Sequence, residues 1–187
     1  SARSNDPKKL PDAESIINRS PVIYCVWRLG ETWPVEYISG NIAEWGYSAD
    51  DFLSGRLTWQ AITHPDDAPR VEAEVLRFMK DKTNHFAQTY RIIDKHGKTR
   101  WVEDQNVFIF AKNGRITHLQ GAVLDITERK LSQQALEQAE QRTQELLAKS
   151  SDIIVVLDEA GVFRYVSPSV KTLLGYNQDE LNGHSAF

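Results

Sequence analysis

The chain has 187 residues, of which 41% are hydrophobic and 26% are charged, as in an ordinary globular protein. Its net charge of −4 argues against a nucleic-acid partner, and no apolar run approaches the about 20 residues that span a membrane. Cys25 is the single cysteine, which excludes an intramolecular disulfide and a multi-cysteine zinc site. These features predict a cytoplasmic protein with no metal ligands and with no membrane segment in this stretch.

The first part of the chain is predicted to form a helix, a hairpin and then short helices. Residues 12–20 form the first helix, with Asp12 as a candidate N-cap. The runs 22–29 and 33–39 are rich in β-branched and aromatic residues and flank a Gly-containing turn, which indicates a β-hairpin. In residues 41–56, polar residues interrupt irregularly spaced apolar residues, a pattern that is typical of short helices.

A longer helix is predicted over residues 63–82, and Asp66 or Asp67 can cap it. Its apolar side chains fall on one face: Val71, Val75, Phe78 and Met79. Three strand-like runs follow, separated by Gly-containing turns: 86–94, 100–111 and 116–126. Such turns between strands predict an antiparallel meander.

Residues 127–149 contain neither Gly nor Pro and are rich in good helix formers, which predicts one long helix. Asp125 and Glu128 have the spacing of a capping box at its start. Four residues keep the 3-4-3 spacing of a coiled-coil seam: Leu136, Ala139, Thr143 and Leu146. Because an alanine and a threonine weaken this seam, a solvated amphipathic helix is the alternative to a coiled-coil dimer.

A sequence repeat links residues 164–184 (RYVSPSVKTLLGYNQDELNGH) to residues 36–56 (EYISGNIAEWGYSADDFLSGR). Self-similarity at this distance indicates a duplicated domain rather than a solenoid repeat. The second copy is too short to bury a core by itself, so we expect the sequence to be a piece of a longer, multi-domain protein. The expected divisions are a lead-in with a short helix, a first domain, a linker helix and the truncated start of a second domain: residues 1–20, 21–126, 127–150 and 151–187.

The order of these elements resembles the PAS family, whose α+β fold is a five-stranded antiparallel sheet with helices on one face, here followed by a C-terminal linker helix. Four strings carry the resemblance: NIAEWGYSADDFLSG, HPDD, YRIIDKHGKTRWV and GAVLDITERK. The resemblance covers residues 12–130 in full and residues 151–187 in part. The stretch between these regions is similar to the usual connector of tandem PAS domains.

The resemblance implies a sensory or dimerisation module of a bacterial signalling protein rather than an enzyme. Such a module passes a small-ligand or partner signal through its terminal helix to an effector, often a two-component histidine kinase or a cyclic-di-GMP enzyme such as a diguanylate cyclase. No nucleophile–base motif or phosphate loop appears in the sequence, so an effector enzyme is expected outside these residues. A homodimer is also expected. Two alternatives stay open: a flavin-binding redox sensor of the same fold, and a ligand-free structural dimerisation domain.

No cofactor is signalled by a motif. The light-sensing branch of the family bonds flavin through the cysteine of Gly-Arg-Asn-Cys-Arg-Phe-Leu-Gln, and the similar stretch here, GRLTWQAI, has Thr58 in its place. Val123 matches the position of that branch's flavin-sensing glutamine. Haem-binding relatives take their axial ligand from the main helix, which has no histidine here. Non-covalent flavin stays open, and the candidates for stacking on its ring are Trp27, Trp45, Trp59 and Tyr90. Packing of these aromatic residues in the core is the alternative that we favour.

Aligning the central hairpin with the family places Asp104 and Asn106 on the side of the sheet that faces the helices, because strand residues alternate between faces. A buried carboxylate needs a hydrogen-bond donor, so we predict that the two residues mark a polar spot in a ligand pocket. A half-buried polar pair without a ligand is the alternative. The predicted pocket comprises Cys25, Trp27, Trp45, Trp59, Val75, Phe78, Tyr90, Ile92, Val102, Asp104, Asn106 and Val123.

The segment Asp125-Ile126-Thr127 resembles the Asp-x-Thr motif at which PAS signalling helices begin. We predict that Asp125 and Thr127 form a signal-relay joint, and a plain helix cap is the alternative. The opposite face of the sheet carries Trp101, Val107 and Ile109, which water alone would cover poorly. We expect the N-terminal helix, the linker helix or a second chain to cover that face.

Overall fold

The computed structural model describes three stretches of the chain: 12–30, 33–148 and 152–186. The lead-in predicted over residues 1–11 lies outside them. The chain divides into two compact units, the first ending at Glu128 and the second beginning at Arg129.

The first unit contains a five-stranded antiparallel sheet in the order β2-β1-β5-β4-β3. Its strands are β1 (Val22–Arg28), β2 (Val35–Ile38), β3 (His85–Ile93), β4 (Thr99–Phe110) and β5 (Ile116–Asp125). This confirms the predicted hairpin and the three-strand meander. Because β5 pairs with both β1 and β4, the meander closes onto the hairpin and makes one continuous sheet.

The helices of the first unit lie where the sequence predicts them, with one addition. They are α1 (Ala13–Asn18), a 3₁₀ helix (Gly40–Trp45), α2 (Ala49–Leu53), α3 (Trp59–Ile62) and α4 (Ala68–Lys80). The short α3 is the addition, and the Thr58 hydroxyl accepts a hydrogen bond from Ala61 N at its start. The predicted apolar face of α4 packs on the core, with Val75 fully in it.

Asp67 precedes α4 but does not cap it, which corrects the predicted cap. Its backbone is helical, whereas a capping residue needs an extended backbone. The carboxylate instead accepts hydrogen bonds from Arg91, at 2.8 Å from the backbone amide and at 2.7 Å from Nη2. The Arg91 guanidinium lowers the pKa of Asp67 to about 2. This charged pair ties the start of α4 to β3.

The long helix α5 (Thr127–Ala148) confirms the helix predicted from composition. The second unit then contains a two-stranded hairpin and two short helices. These elements are β6 (Val155–Leu157), β7 (Phe163–Val166), α6 (Ser169–Leu174) and α7 (Gln178–Leu181). They repeat the order of the hairpin and the short helices that open the first unit.

The repeat extends to hydrogen bonds. In the first unit the Ser39 hydroxyl accepts from a backbone amide of β1 at 2.9 Å and donates to the Asn41 side chain. In the second unit the Ser167 hydroxyl accepts from the backbone amide of Ile154 at 2.8 Å and bonds to the Ser169 hydroxyl. Each network joins the residue after the second hairpin strand to the first strand or to the residue directly before it, as expected of a duplicated unit.

The face of the sheet that points away from helices α3 and α4 carries partly exposed apolar side chains. Trp101 is half-buried, with the Arg91 guanidinium 5.6 Å from its ring centroid. Ile109, which follows the buried Phe108 on β4, is 38% exposed. The prediction that a helix or a second chain covers this face therefore stays a prediction.

Candidate functional site

β4 directs alternate side chains into the interior, as the alternation predicts. Val102, Asp104, Asn106 and Phe108 are each at most 4% exposed. Trp101 and the residues that alternate with this set are half-buried or exposed. The expected polar pair, Asp104 and Asn106, is therefore inside the domain and not in bulk solvent.

A cavity of about 130 Å³ lies between the sheet and helices α3 and α4. Six of the predicted pocket residues line it: Trp27, Trp59, Val75, Tyr90, Asp104 and Asn106. The other six belong to the core around it or pack against that core: Cys25, Trp45, Phe78, Ile92, Val102 and Val123. Phe78, for example, stacks on Phe86 with ring centroids 4.4 Å apart, so its ring is committed to core packing. The two groups share one apolar interior, and only the first reaches the open space.

The cavity wall also contains residues that the sequence patterns do not predict. Those from the α3 and α4 region include Thr58, Gln60, Thr63, Ala68, Glu72 and Leu76. Others are Trp33, Val71, Gln88 and Leu119. Gln88 is 4% exposed and lies two positions before Tyr90 on β3, so strand alternation could have identified it. The cavity opens beside α4, where Leu76 is 53% exposed.

A buried hydrogen-bond chain crosses the cavity wall from α3 to β4. The Trp59 indole Nε1 donates to the Tyr90 hydroxyl at 2.8 Å, and that hydroxyl donates to Asp104 Oδ2 at 2.8 Å. Burial raises the pKa of Asp104 to about 6, although the Tyr90 bond opposes the rise. The carboxyl group is thus held close to the point where it gains or loses its proton near neutral pH.

Two buried acceptors in the wall have no hydrogen-bond partner in the described structure. They are Asp104 Oδ1 and Asn106 Oδ1. The Asn106 amide nitrogen donates to the Asp104 backbone carbonyl at 3.2 Å, which orients its oxygen away from that bond. Buried acceptors are rarely left without donors because each one costs desolvation free energy. The two oxygens can therefore accept hydrogen bonds from a bound molecule.

Gly121 on β5 makes room for this arrangement. It pairs with Cys25 on β1 and with Asn106 on β4. A Cβ at this position would lie 2.7 Å from a Trp27 ring carbon and 2.8 Å from Asp104 Oδ1. Only glycine lets the indole ring and the carboxylate approach the strand so closely.

At the end of β5, Asp125 and Thr127 form a bonded joint. Asp125 Oδ1 accepts from the Thr127 backbone amide at 2.9 Å and from its hydroxyl at 2.6 Å. The Thr127 hydroxyl oxygen in turn accepts from Trp101 N at 2.9 Å, which bonds the start of α5 to β4. The Asp125 carboxylate accepts hydrogen bonds from Arg100 and Thr127. The predicted capping box would instead pair it with the backbone amide of Glu128.

Arg100 is a joint residue that no sequence pattern marked. Its Nη1 donates to Asp125 Oδ2 at 3.0 Å, and its Nε donates to Asp94 Oδ2 at 2.9 Å. Burial opposes ionisation of both carboxyl groups. The bonds from Arg100 and nearby donors outweigh it, and the pKa of each group is lowered. The two acids therefore stay charged and hold the arginine between the β3–β4 turn and the start of α5.

The polar spot and the joint lie on the same strand pair. Asp104 on β4 is opposite Val123 on β5, and Val102 is opposite Asp125. Only two residue positions along each strand separate the cavity from the joint. A change in the pairing of β4 and β5 at the cavity thus has a short path to the first turn of α5.

Neither the size of the cavity nor the residues that could react with a flavin fit such a cofactor. Cavities that enclose drug-sized ligands are roughly 300–1,000 Å³, whereas this one is about 130 Å³. Thr58 serves as the cap of α3, and Val123 is fully buried in the core. Cys25 is also fully buried, lies outside the cavity wall, and has a pKa raised by burial, so it offers no thiolate.

The described stretches 12–30, 33–148 and 152–186 also bear on metal binding and on membrane insertion. Within these stretches, no group of three or more His, Cys, Asp or Glu side chains is placed to hold a metal ion. None of the helices described there combines the length and apolar character needed to cross a membrane.

Comparison with known proteins identifies the fold in both units. Family models described as the PAS fold match residues 35–123 and residues 133–187. A methyl sulfide methyltransferase-associated sensor from Methanosarcina acetivorans is 36% identical over 146 residues, which are 78% of this chain and 14% of that protein. Sensor protein FixL from Bradyrhizobium diazoefficiens is 27% identical over 155 residues, 83% of this chain and 30% of that protein. The chain thus spans less than a third of each of these curated relatives.

A solved structure agrees with the sequence comparisons. A sensory box histidine kinase/response regulator from Burkholderia thailandensis matches with a TM-score of 0.56 at 20% identity, over 71% of this chain and 98% of that chain. At this identity the likeness concerns the fold alone. The five-stranded antiparallel sheet, the helices beside it and the two family matches together show that the chain belongs to the PAS family of sensor domains.

Proposed function

We propose that the first unit is the sensor domain of a larger signalling protein and that it binds a small ligand in the cavity beside Asp104. The observation that carries this proposal is the pair of buried acceptors, Asp104 Oδ1 and Asn106 Oδ1, without donors in the wall of an apolar cavity. If the interior of the domain were only a ligand-free core, apolar groups in place of these two acceptors would make the domain more stable. The cavity volume suits a molecule of about six heavy atoms, since cavities near this size accept benzene.

The proposed output runs through β4 and β5 to α5. A ligand that draws Asp104 toward itself shifts the strand pair whose end carries Asp125 and Thr127. The bonds at this joint have energies comparable with typical allosteric couplings of about 1–3 kcal/mol. A small displacement of the strands is therefore enough to change the population of the bonded joint.

The rest of the proposed role concerns the whole protein. We assign residues 21–126 to the sensor domain, residues 127–150 to the linker helix and residues 151–187 to a second PAS domain. The curated relatives are sensors, which supports an effector elsewhere in the protein, either a histidine kinase or a cyclic-di-GMP enzyme. The proposed working form is a cytoplasmic homodimer.

A thermal-shift screen with a library of small polar molecules tests ligand binding. Compounds that occupy the cavity should raise the melting temperature of the native chain but not that of Val71→Phe, in which a larger side chain fills the space. Hydrogen exchange at the Ile126 and Thr127 amides should change with the same compounds. If every stabilising compound acts equally on both proteins, the cavity is not the binding site and the ligand-free dimerisation domain becomes the better reading.

A further inference from the structure

We propose that the ligand of this cavity is a small organic ammonium ion, held by Asp104 and Asn106 and enclosed by tryptophan rings. The inference rests on the proposed function and narrows it to one chemical class. Three kinds of observation carry it: the charge of the wall, the donors that the wall lacks, and the arrangement of its aromatic rings.

The wall is negatively charged, and none of the described residues that line it is a lysine, an arginine or a histidine. Asp104 is 4% exposed, and its only side-chain donors in the described structure are neutral. The other titratable groups that face it are the Tyr90 phenol from β3 and the Cys25 thiol from β1, both with a pKa raised by burial. Glu72 from α4 adds a second carboxylate at the rim. A buried carboxylate is stable when a cation pairs with it, so the site favours a cationic guest.

The donors that the wall lacks match an ammonium group. Asp104 Oδ1 and Asn106 Oδ1 belong to residues two positions apart on the same face of β4, and both lack a partner in the described structure. A primary ammonium group has three N–H donors and no acceptor. Such a group can satisfy both oxygens at once, whereas a hydroxyl group brings one donor and one acceptor.

The aromatic walls suit the remainder of the ion. Trp27 and Trp59 have ring centroids 5.4 Å apart and planes at 79°, so the two indoles form a corner. Trp33 also lines the cavity, with a φ of +47° that a bulky residue rarely adopts. Tryptophan faces attract cations most strongly among the aromatic side chains, and they also pack against alkyl groups. The wall thus offers an apolar enclosure around the buried carboxyl group of Asp104.

The test compares n-propylammonium with 1-propanol, which has a similar shape but no charge. Each is titrated into the native chain at pH 8, with the indole N–H signals of Trp27 and Trp59 followed by NMR. We expect n-propylammonium to bind at least about tenfold more tightly than the alcohol, because hydrogen bonds to charged groups are the stronger ones. In Asp104→Asn this preference should disappear. Glu44→Gln, which removes the same charge at an exposed position outside the cavity wall, should keep it.

The pH profile of the native chain gives the same test without a substitution. Asp104 becomes protonated as the pH falls through about 6, so the preference for the ammonium ion should fall over that range. Equal binding of the two probes at pH 8, or a preference that survives in Asp104→Asn, would overturn the inference. Tight binding of 1-propanol alone would overturn it while leaving a ligand-binding cavity in place. Binding of neither probe, together with a failed library screen, would remove the proposed function as well.

Discussion

Asp104 is the residue at which stability and the proposed ligand binding oppose each other. Its pKa is raised to about 6 by burial, whereas an unfolded chain has an Asp pKa of about 3.9. A raised carboxyl pKa contributes stability below the unfolded value, and this contribution is lost as the pH rises from about 4 to 6. At pH 8 the ionised carboxylate therefore costs the free protein on the order of 3 kcal/mol.

We expect Asp104→Asn to be more stable than the native chain at pH 8, with an advantage of up to about 3 kcal/mol. The asparagine oxygen can still accept the Tyr90 hydrogen bond and carries no charge. Urea unfolding between pH 4 and pH 8 measures the effect, and the two proteins should converge toward pH 4. The exposed Glu44→Gln is the matched control and should show no such trend. A variant that is less stable at every pH would contradict this account.

Among the glycines whose surroundings the structure describes, Gly121 on β5 leaves the least room for a side chain. Gly121→Ala places a Cβ within 2.8 Å of the Trp27 ring and of Asp104 Oδ1, so the ring or the strand must move. We expect a loss of about 1–3 kcal/mol in the free energy of unfolding, measured with urea. Gly30→Ala is the control, because its nearest neighbour would be Pro34 Cδ at 4.0 Å. Similar losses in both variants would show that the close approach at Gly121 is not the cause.

The start of α5 is held by side-chain bonds to the sheet. Asp125→Ala removes the acceptor of both Thr127 donors and one partner of Arg100. We expect faster hydrogen exchange in the first turn of α5 and a loss of about 1 kcal/mol, as for other lost helix caps. Glu128→Ala removes the same charge from an exposed position and should leave exchange nearly unchanged. If both variants open the turn equally, the joint has no special bonding role.

Elements with a regular period were predictable, and contacts between distant elements were not. Strand alternation predicts that Asp104 and Asn106 face the interior. The same alternation along β3 also predicts a buried Gln88. Asp67 was predicted as a cap because local spacing allowed it, yet a guanidinium on another strand is the stronger partner. Arg100 carries no periodic signal, since its role depends on a turn and a strand end that meet only after folding.

The rim of the cavity shows the same limit. Thr58, Glu72 and Leu76 lie on a loop and on a helix whose rotation about its axis decides which side chains reach the space. Six of the twelve predicted pocket residues reach the cavity, because the face of a strand can be predicted from alternation while the position of a void within that face cannot. The voids depend on how large side chains interlock across the whole layer.

For the whole molecule, the duplicated hairpin indicates that two related units were joined through one helix. The Ser39 and Ser167 networks give both hairpins the same connection to the short helices that follow. A helix between two sensor units can transmit a change only if its first turn is coupled to the sheet before it. The bonds of Asp125 and Thr127 join the first turn of α5 to the sheet, as the proposed output requires.

The 3-4-3 seam of α5 predicts that two copies of the chain pair through this helix. Leu136 and Leu146 are 61% and 65% exposed in the single chain, so burying them against a partner helix would remove apolar surface from water. We expect light scattering after gel filtration to show a dimer, and Leu136→Glu to raise its dissociation constant at least about tenfold, because a buried unpaired charge is costly. Gln134→Glu adds the same charge outside the seam and should leave the dimer intact. A native chain that stays monomeric, or a dimer that Leu136→Glu does not weaken, would rule out pairing through this seam.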